Sequence, residues 1–195
     1  MIPVYLFFGP QGSGKTTQAE RLAERLKLPF FDSGNALRDL AKTDSDLGRR
    51  VVKIMQSGQL VSNDILRELF VQFIDQKDCR RGFVVDGFPR NLTQVELLEE
   101  LSTIHQWRVI GILVDISAAT THQRLANRYQ IVDGQKVTRP DDEPAIITKR
   151  LETFDRETRP VLDHLESRQE LIKIDGEPDI ETVTTAVNRA IDDGK

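Results

Sequence analysis

The run Gly9-Pro10-Gln11-Gly12-Ser13-Gly14-Lys15-Thr16 constrains the fold of this chain more than any other stretch. It follows an apolar, β-prone segment, Val4 to Phe8, and precedes a segment in which Ala19, Leu22, Ala23 and Leu26 recur at helical spacing. A G-x-x-x-x-G-K-[ST] run in that setting needs a strand, then a loop whose glycines turn backbone N–H groups inward, then a helix N-terminus that favours negative charge. Such a loop cradles a phosphate chain, with Lys15 reaching the outer phosphate oxygens and Thr16 offering its hydroxyl to Mg²⁺. The chain is therefore expected to bind a nucleoside triphosphate together with Mg²⁺.

The remaining sequence supplies the sheet that such a loop requires. Beside Val4 to Phe8, the runs Leu28 to Phe31, Phe83 to Asp86, Val109 to Val114 and Leu171 to Ile174 read as strands. Their nearly continuous apolar character is that of strands covered on both faces. Helical patterns alternate with them, the last carried by Ile180, Val183, Val187, Ala190 and Ile191. The expected architecture is α/β, a three-layer P-loop fold with a five-stranded parallel sheet. Two connections exceed what a crossover needs. The first, Asp32 to Arg81, holds about three helical patterns broken near Thr43-Asp44 and Gln56-Ser57-Gly58. The second, about Tyr129 to Pro144, places Asp133-Gly134 between Ile131-Val132 and Gln135-Lys136-Val137, a hairpin signal. Asp141-Asp142-Glu143 then precedes a long helix expected from Pro144 onward.

Charge narrows the class of partner. The chain has 27 Lys+Arg against 31 Asp+Glu, a net -4, which disfavours nucleic acid as a ligand. Of the cationic residues, however, 18 are Arg and 9 Lys, and Arg is the side chain suited to bidentate capture of phosphate. One cysteine, Cys79, allows neither an internal disulfide nor a Cys-rich zinc site, so it reads as inert and fits a reducing compartment. No apolar run reaches the roughly 18 residues of a membrane span, and Met1-Ile2-Pro3 leads into the first strand without a basic leader. A soluble cytoplasmic protein is expected, and a monomer, since no helix shows a spare apolar stripe. His105, His122 and His164 read as surface residues, and Trp107 as packing at the start of a strand.

Among phosphate-loop proteins a GTPase would need Asn-Lys-x-Asp, and none of the five Asn residues is followed by Lys. The next chemical signal is Asp86-Gly87-Phe88-Pro89-Arg90 with Gln94. An acid at the C-terminal end of a parallel strand sits where open α/β sheets bind ligands, close enough to the phosphate loop to organise water around Mg²⁺.

These motifs, in this order, resemble the adenylate kinase family of short-lid type, nearly end to end. The resemblance implies that Gly12, Ser13, Gly14, Lys15, Thr16 and Thr17 bind ATP, with Gly176, in Ile174-Asp175-Gly176-Glu177, beside its adenine. It implies that Ser33, Gly34 and Arg38 contact AMP, that Gly58-Gln59-Leu60-Val61 lines the AMP adenine, and that Asp86 to Arg90 with Gln94 holds the AMP phosphate and base. Gly87, Phe88, Pro89 and Arg90 belong to that element. Arg124 and Arg128 match a pair on the ATP side, and Arg139 and Arg150 a pair from the lid and its flank. Asp86 would hold Mg²⁺ through water, and Thr16 stands beside it. Lys15, Arg90, Arg124, Arg128, Arg139 and Arg150 become the catalytic set. With Arg38 they are seven cations, so the rest of the chain carries about -11 by the same count.

That chemistry has a physical logic. Transfer between two nucleotides joins two polyanions, so the protein's task is alignment and charge neutralisation, and an already ionised phosphate oxygen needs no general base. The implied activity is reversible Mg²⁺-dependent phosphoryl transfer from ATP to AMP, giving two ADP. A UMP/CMP kinase shares the fold and the Arg set, and a silent nucleotide-binding module stands as a reading from another class. Residues 1–31, 62–128 and 141–195 would form the core, 32–61 a helical insert closing over AMP, and 129–140 a short lid. Two departures from the family pattern stand out: Asn35 occupies a position usually Asp, and Thr16 one often Gly.

Overall fold

The computed structural model describes residues 1–57, 59–126, 130–132, 135–137 and 144–194, the two three-residue segments by their backbone alone. From the N-terminus run β1 (Ile2–Phe8), α1 (Lys15–Leu26), β2 (Phe30–Asp32), α2 (Ser33–Ala41), α3 (Asp46–Gln56), α4 (Asn63–Gln76), β3 (Phe83–Asp86) and α5 (Leu92–His105). There follow β4 (Trp107–Asp115), α6 (Ala118–Ala126), β5 (Gln130–Val132), β6 (Gln135–Val137), α7 (Pro144–Thr153), α8 (Arg159–Ser167), β7 (Leu171–Asp175) and α9 (Ile180–Asp193). Five strands form one parallel sheet in the order β2-β3-β1-β4-β7, and β5 pairs antiparallel with β6. The hairpin thus stands where the sequence pattern puts it, while its Asp133-Gly134 turn lies outside the described residues.

Both faces of the sheet are covered, which is why its strands lack a polar stripe. Along β1, Val4, Leu6 and Phe8 join one core with Phe70 of α4, Leu98 of α5 and Val161 of α8. Tyr5 and Phe7 point the other way, into a second core with Leu22 of α1 and Val183 and Val187 of α9. A third, smaller cluster of Leu37, Val51, Val61 and Leu66 gives the helical insert its own apolar centre. The connection from Asp32 to Arg81 contains α2, α3 and α4, the three helical patterns expected of it. Side-chain caps explain where α2 and α3 begin: Asp32 accepts from the Asn35 N–H and Ser45 from that of Gly48.

Two local readings are corrected. β2 begins at Phe30, not Leu28, because Lys27 takes a left-handed conformation (φ 54°) and the Leu28 N–H bonds back to the Ala23 carbonyl, so Leu28 still belongs to the end of α1. The long helix from Pro144 is interrupted by a π-helical turn, Phe154–Thr158, in which the Arg159 N–H reaches the Phe154 carbonyl. Pro160, with no N–H to offer, sits in the first turn of the following α8 and removes the bond a continuous α-helix would need. Among the described residues no helix is long and apolar enough to cross a membrane.

Candidate active site

The loop after β1 is built on left-handed glycines: φ is 83° at Gly12 and 84° at Gly14. The Ser13 N–H closes the turn on the Pro10 carbonyl, and Ser13 itself is buried. α1 starts at Lys15, so its first N–H groups, together with those of the loop, face the C-terminal edge of the sheet.

One strand in from the sheet's edge, between β2 and β1, β3 delivers Asp86 to the same place. Its carboxylate is 4% exposed. Oδ2 accepts the Thr16 hydroxyl, while Oδ1 is buried without a hydrogen-bond partner among the described residues. Burial pushes the Asp86 pKa up. Lys15, the Thr16 hydroxyl and Arg90 oppose that rise, and the charge of Asp32 adds to it. An oxygen left unsatisfied in a protein interior marks a missing partner. A carboxylate and a hydroxyl at a phosphate loop are hard oxygen donors of the kind Mg²⁺ takes, and the residues present therefore fit the ion. Among the described residues no three His, Cys, Asp or Glu side chains converge to hold a metal by themselves.

Beyond Asp86 the chain turns at Gly87 (φ 76°), where a Cβ would stand 2.4 Å from Ser33 Oγ and 2.7 Å from Arg90 Nη2. This packing fixes Arg90. Its Nε donates to the Gly87 carbonyl at 2.7 Å, its backbone N–H to Gln94 Oε1 at 2.7 Å, and its carbonyl accepts from the Thr158 hydroxyl of the π-turn at 3.1 Å. Ser33 Oγ donates to the Gly87 carbonyl at 2.8 Å, tying the start of α2 to the same turn. Burial lowers the Arg90 pKa from its ordinary value, with Arg150 and Arg38 acting in the same direction and Asp86 and Asp32 against it. Arg90 nonetheless stays charged.

Lys15, Gly34, Arg38, Gln59, Leu60, Val61, Gly87, Pro89, Arg90 and Arg150 line a single cavity. Arg38, Arg90 and Arg150 therefore come from three different elements to one anion-attracting space, with Lys15 at its phosphate-loop end. Its apolar wall, Leu37, Met55, Leu66 and Phe154, went unremarked in the sequence because such residues read as core. Arg38 is held ready: Nε and Nη2 donate to Asn35 Oδ1 at 3.2 and 2.5 Å.

Other expected residues stand elsewhere. Arg124 lies on the phosphate-loop side, where Nη2 donates to the Gly176 and Glu177 carbonyls at 2.9 Å each and Nη1 to that of Gly12 at 3.5 Å. Phe88 faces the core, its ring 4.6 Å from that of Phe70. Gln94 is 1% exposed and lies behind Arg90, with Nε2 donating to Asn63 Oδ1 at 2.9 Å. Thr17 follows in the first turn of α1. Gly58, Arg128, Arg139 and Asp141-Asp142-Glu143 lie outside the described residues. Sequence reasoning passed over Asp32, although it ends a parallel strand just as Asp86 does. A larger open depression at the opposite edge of the sheet, bordered by Met1, Trp107, Arg108 and Arg168, holds none of the motif residues.

Comparison with known proteins bears on the family of the chain. The family described as "Adenylate kinase" matches residues 7–170. An adenylate kinase of Methanocella arvoryzae is 34% identical, covering 96% of this chain and 97% of the relative. One of Thermosynechococcus vestitus is 37% identical over 95% of each chain, and one of Beijerinckia indica 35% identical over 95% and 97%. The chain belongs to the adenylate kinase family, enzymes that move a phosphoryl group between ATP and AMP.

Proposed function

We propose that Lys15, Arg38, Arg90 and Arg150 align the two phosphate chains in the cavity they share, and that this alignment, with charge neutralisation, is the main catalytic contribution of the chain. The convergence of these four cations from four elements onto one cavity carries the reading. Gly12, Ser13, Gly14, Lys15, Thr16 and Thr17 bind the ATP phosphates, Arg124 and Arg128 the same chain from α6 and beyond, and Gly176 borders the ATP base. Ser33, Gly34, Arg38, Gly87, Phe88, Pro89, Arg90 and Gln94 form the AMP side, with Arg139 and Arg150. Phe88 and Gln94 act there by shaping the turn and holding the Arg90 backbone. Gln59, Leu60 and Val61, beside Leu37 and Met55, offer an apolar wall to the acceptor base.

Mg²⁺, when bound with ATP, neutralises phosphate charge during transfer. Asp86 would hold it through water, with Thr16 beside it. In this reading residues 32–61 close over AMP and residues 129–140 over ATP, excluding water so that the phosphoryl group reaches AMP and is not hydrolysed. The enzyme is read as a soluble cytoplasmic monomer using ATP, AMP and ADP and no nucleic acid or membrane. Burial pushes the Cys79 thiol up to about 11, which suits an inert residue in a reducing compartment.

Lys15→Met tests the proposal. It should abolish transfer from Mg·ATP to AMP while leaving the thermal unfolding midpoint within about 2–4 °C of wild type, the shift that about 1 kcal/mol produces in a chain of this size. A wild-type chain no more active than this variant would overturn it.

A further inference from the structure

Asp32 ends β2, and the parallel register sets it directly opposite Asp86 on β3. Its side chain is only 10% exposed. Asp86 in turn pairs with Phe7 at the end of β1 and accepts the Thr16 hydroxyl, so the two strand-end carboxylates stand side by side at the phosphate loop. Beside this patch Asp86 Oδ1 is buried and has no hydrogen-bond partner among the described residues.

In the protein alone, Lys15 and Arg90 offset part of this negative charge. A phosphate chain entering the cavity draws on the same two cations and adds anionic charge of its own. Carboxylates and phosphates then face each other across a short gap, an arrangement that only a further cation stabilises. Mg²⁺ dehydrates reluctantly, so such a cation would be held through its waters, whose hydrogens point outward to carboxylate oxygens.

We propose that Asp32, together with Asp86, anchors the water shell of the divalent cation that enters with ATP, so that Asp32 is a positioning residue of the metal site. The inference rests on the reading above that Mg²⁺ sits at Asp86 and Thr16. Asp32 has a local task as well: Oδ1 accepts from the Asn35 N–H at 3.0 Å, capping α2, and Oδ2 faces Arg38 Nη2 at 3.7 Å. The two roles separate cleanly, because Asn and Ser cap helices about as well as Asp but carry no charge.

The test uses the full chain with a non-hydrolysable ATP analogue and Mn²⁺, reading free Mn²⁺ by electron paramagnetic resonance. Asp32→Asn and Asp32→Ser should each weaken Mn²⁺ binding to the protein–analogue complex about tenfold, as loss of an outer-shell partner does. Their unfolding midpoints should stay close to wild type, and analogue affinity without metal should be unchanged. Asp86→Asn, measured in parallel, should weaken Mn²⁺ at least as much. Unchanged Mn²⁺ affinity in both Asp32 variants, with a loss in Asp86→Asn, overturns the inference and leaves the Mg²⁺ reading standing. No loss in Asp86→Asn overturns both. Equal loss of analogue affinity with and without metal assigns Asp32 to the α2 cap and Arg38 alone, and also overturns the inference.

Discussion

Asp86 shows at the scale of one residue how folding and catalysis pull apart. Its pKa is raised, first by burial, which means that the ionised form the proposed Mg²⁺ site would need is the form the fold disfavours. Because folding raises this pKa, the contribution of Asp86 to stability is fully present below the value of unfolded Asp, about 3.9, and is lost as pH rises through the folded-state value. At neutral pH the charge therefore costs stability. Asp86→Asn should raise the unfolding midpoint measured without nucleotide while lowering kcat about 10²-fold or more, the scale of losing one preorganised electrostatic group. A scan of thermal unfolding against pH checks the sign, since the gain should shrink on acidification. A midpoint below wild type at neutral pH would show that the neighbouring cations outweigh burial.

Arg90 makes the complementary case. Its guanidinium and backbone are tied to Gly87, Gln94 and Thr158, so its position is set before any substrate arrives. Arg90→Ala should raise the AMP KM and lower kcat, reducing kcat/KM for AMP by about 10²–10³, with the ATP KM changed by no more than about twofold. Steady-state kinetics with each substrate varied in turn reads this directly. Equal weakening of both nucleotides would place Arg90 wrongly.

At the scale of elements, the sheet edge and the helices behind it hold these residues in register. Phe70 of α4 is fully buried and meets Phe31, Phe73, Phe83 and Phe88, linking that helix to β2, β3 and the turn that carries Arg90. Phe70→Ala should cost about 3–5 kcal/mol, and with about 2–4 °C per kcal/mol the midpoint should fall by about 6–20 °C. Calorimetry checks it, and a fall under about 3 °C would mean that the cluster repacks freely.

Much of this level was readable beforehand. The strands announced themselves because burial on both faces leaves only apolar residues, and the long connection from Asp32 to Arg81 did because three helical periods do not fit a simple crossover. What escaped was set by tertiary context. The end of α1 absorbed Leu28 through a left-handed Lys27, which no periodicity reports. The π-turn at Phe154–Thr158 placed Thr158 against Arg90, and Pro160 was its only sequence signal. Asp32 was passed over because its partner Asp86 is 54 residues away and only strand pairing joins them. The place of Phe88 in the core, not the cavity, likewise depends on the direction of one turn.

For the whole molecule, the charge balance and the site now form one account. A net -4 describes the exterior, while Lys15, Arg38, Arg90 and Arg150 collect at one cavity. In the proposed reading those cations would accept any nucleoside monophosphate, so selection among acceptors would fall to the cavity wall at Leu37, Met55 and Gln59 to Val61. The most direct test is a coupled assay of the purified chain with Mg·ATP against AMP, CMP, UMP and GMP, comparing kcat/KM. AMP should exceed each of the others by at least about tenfold, a margin of about 1.4 kcal/mol in transition-state binding. UMP or CMP equal to or faster than AMP would contradict the account.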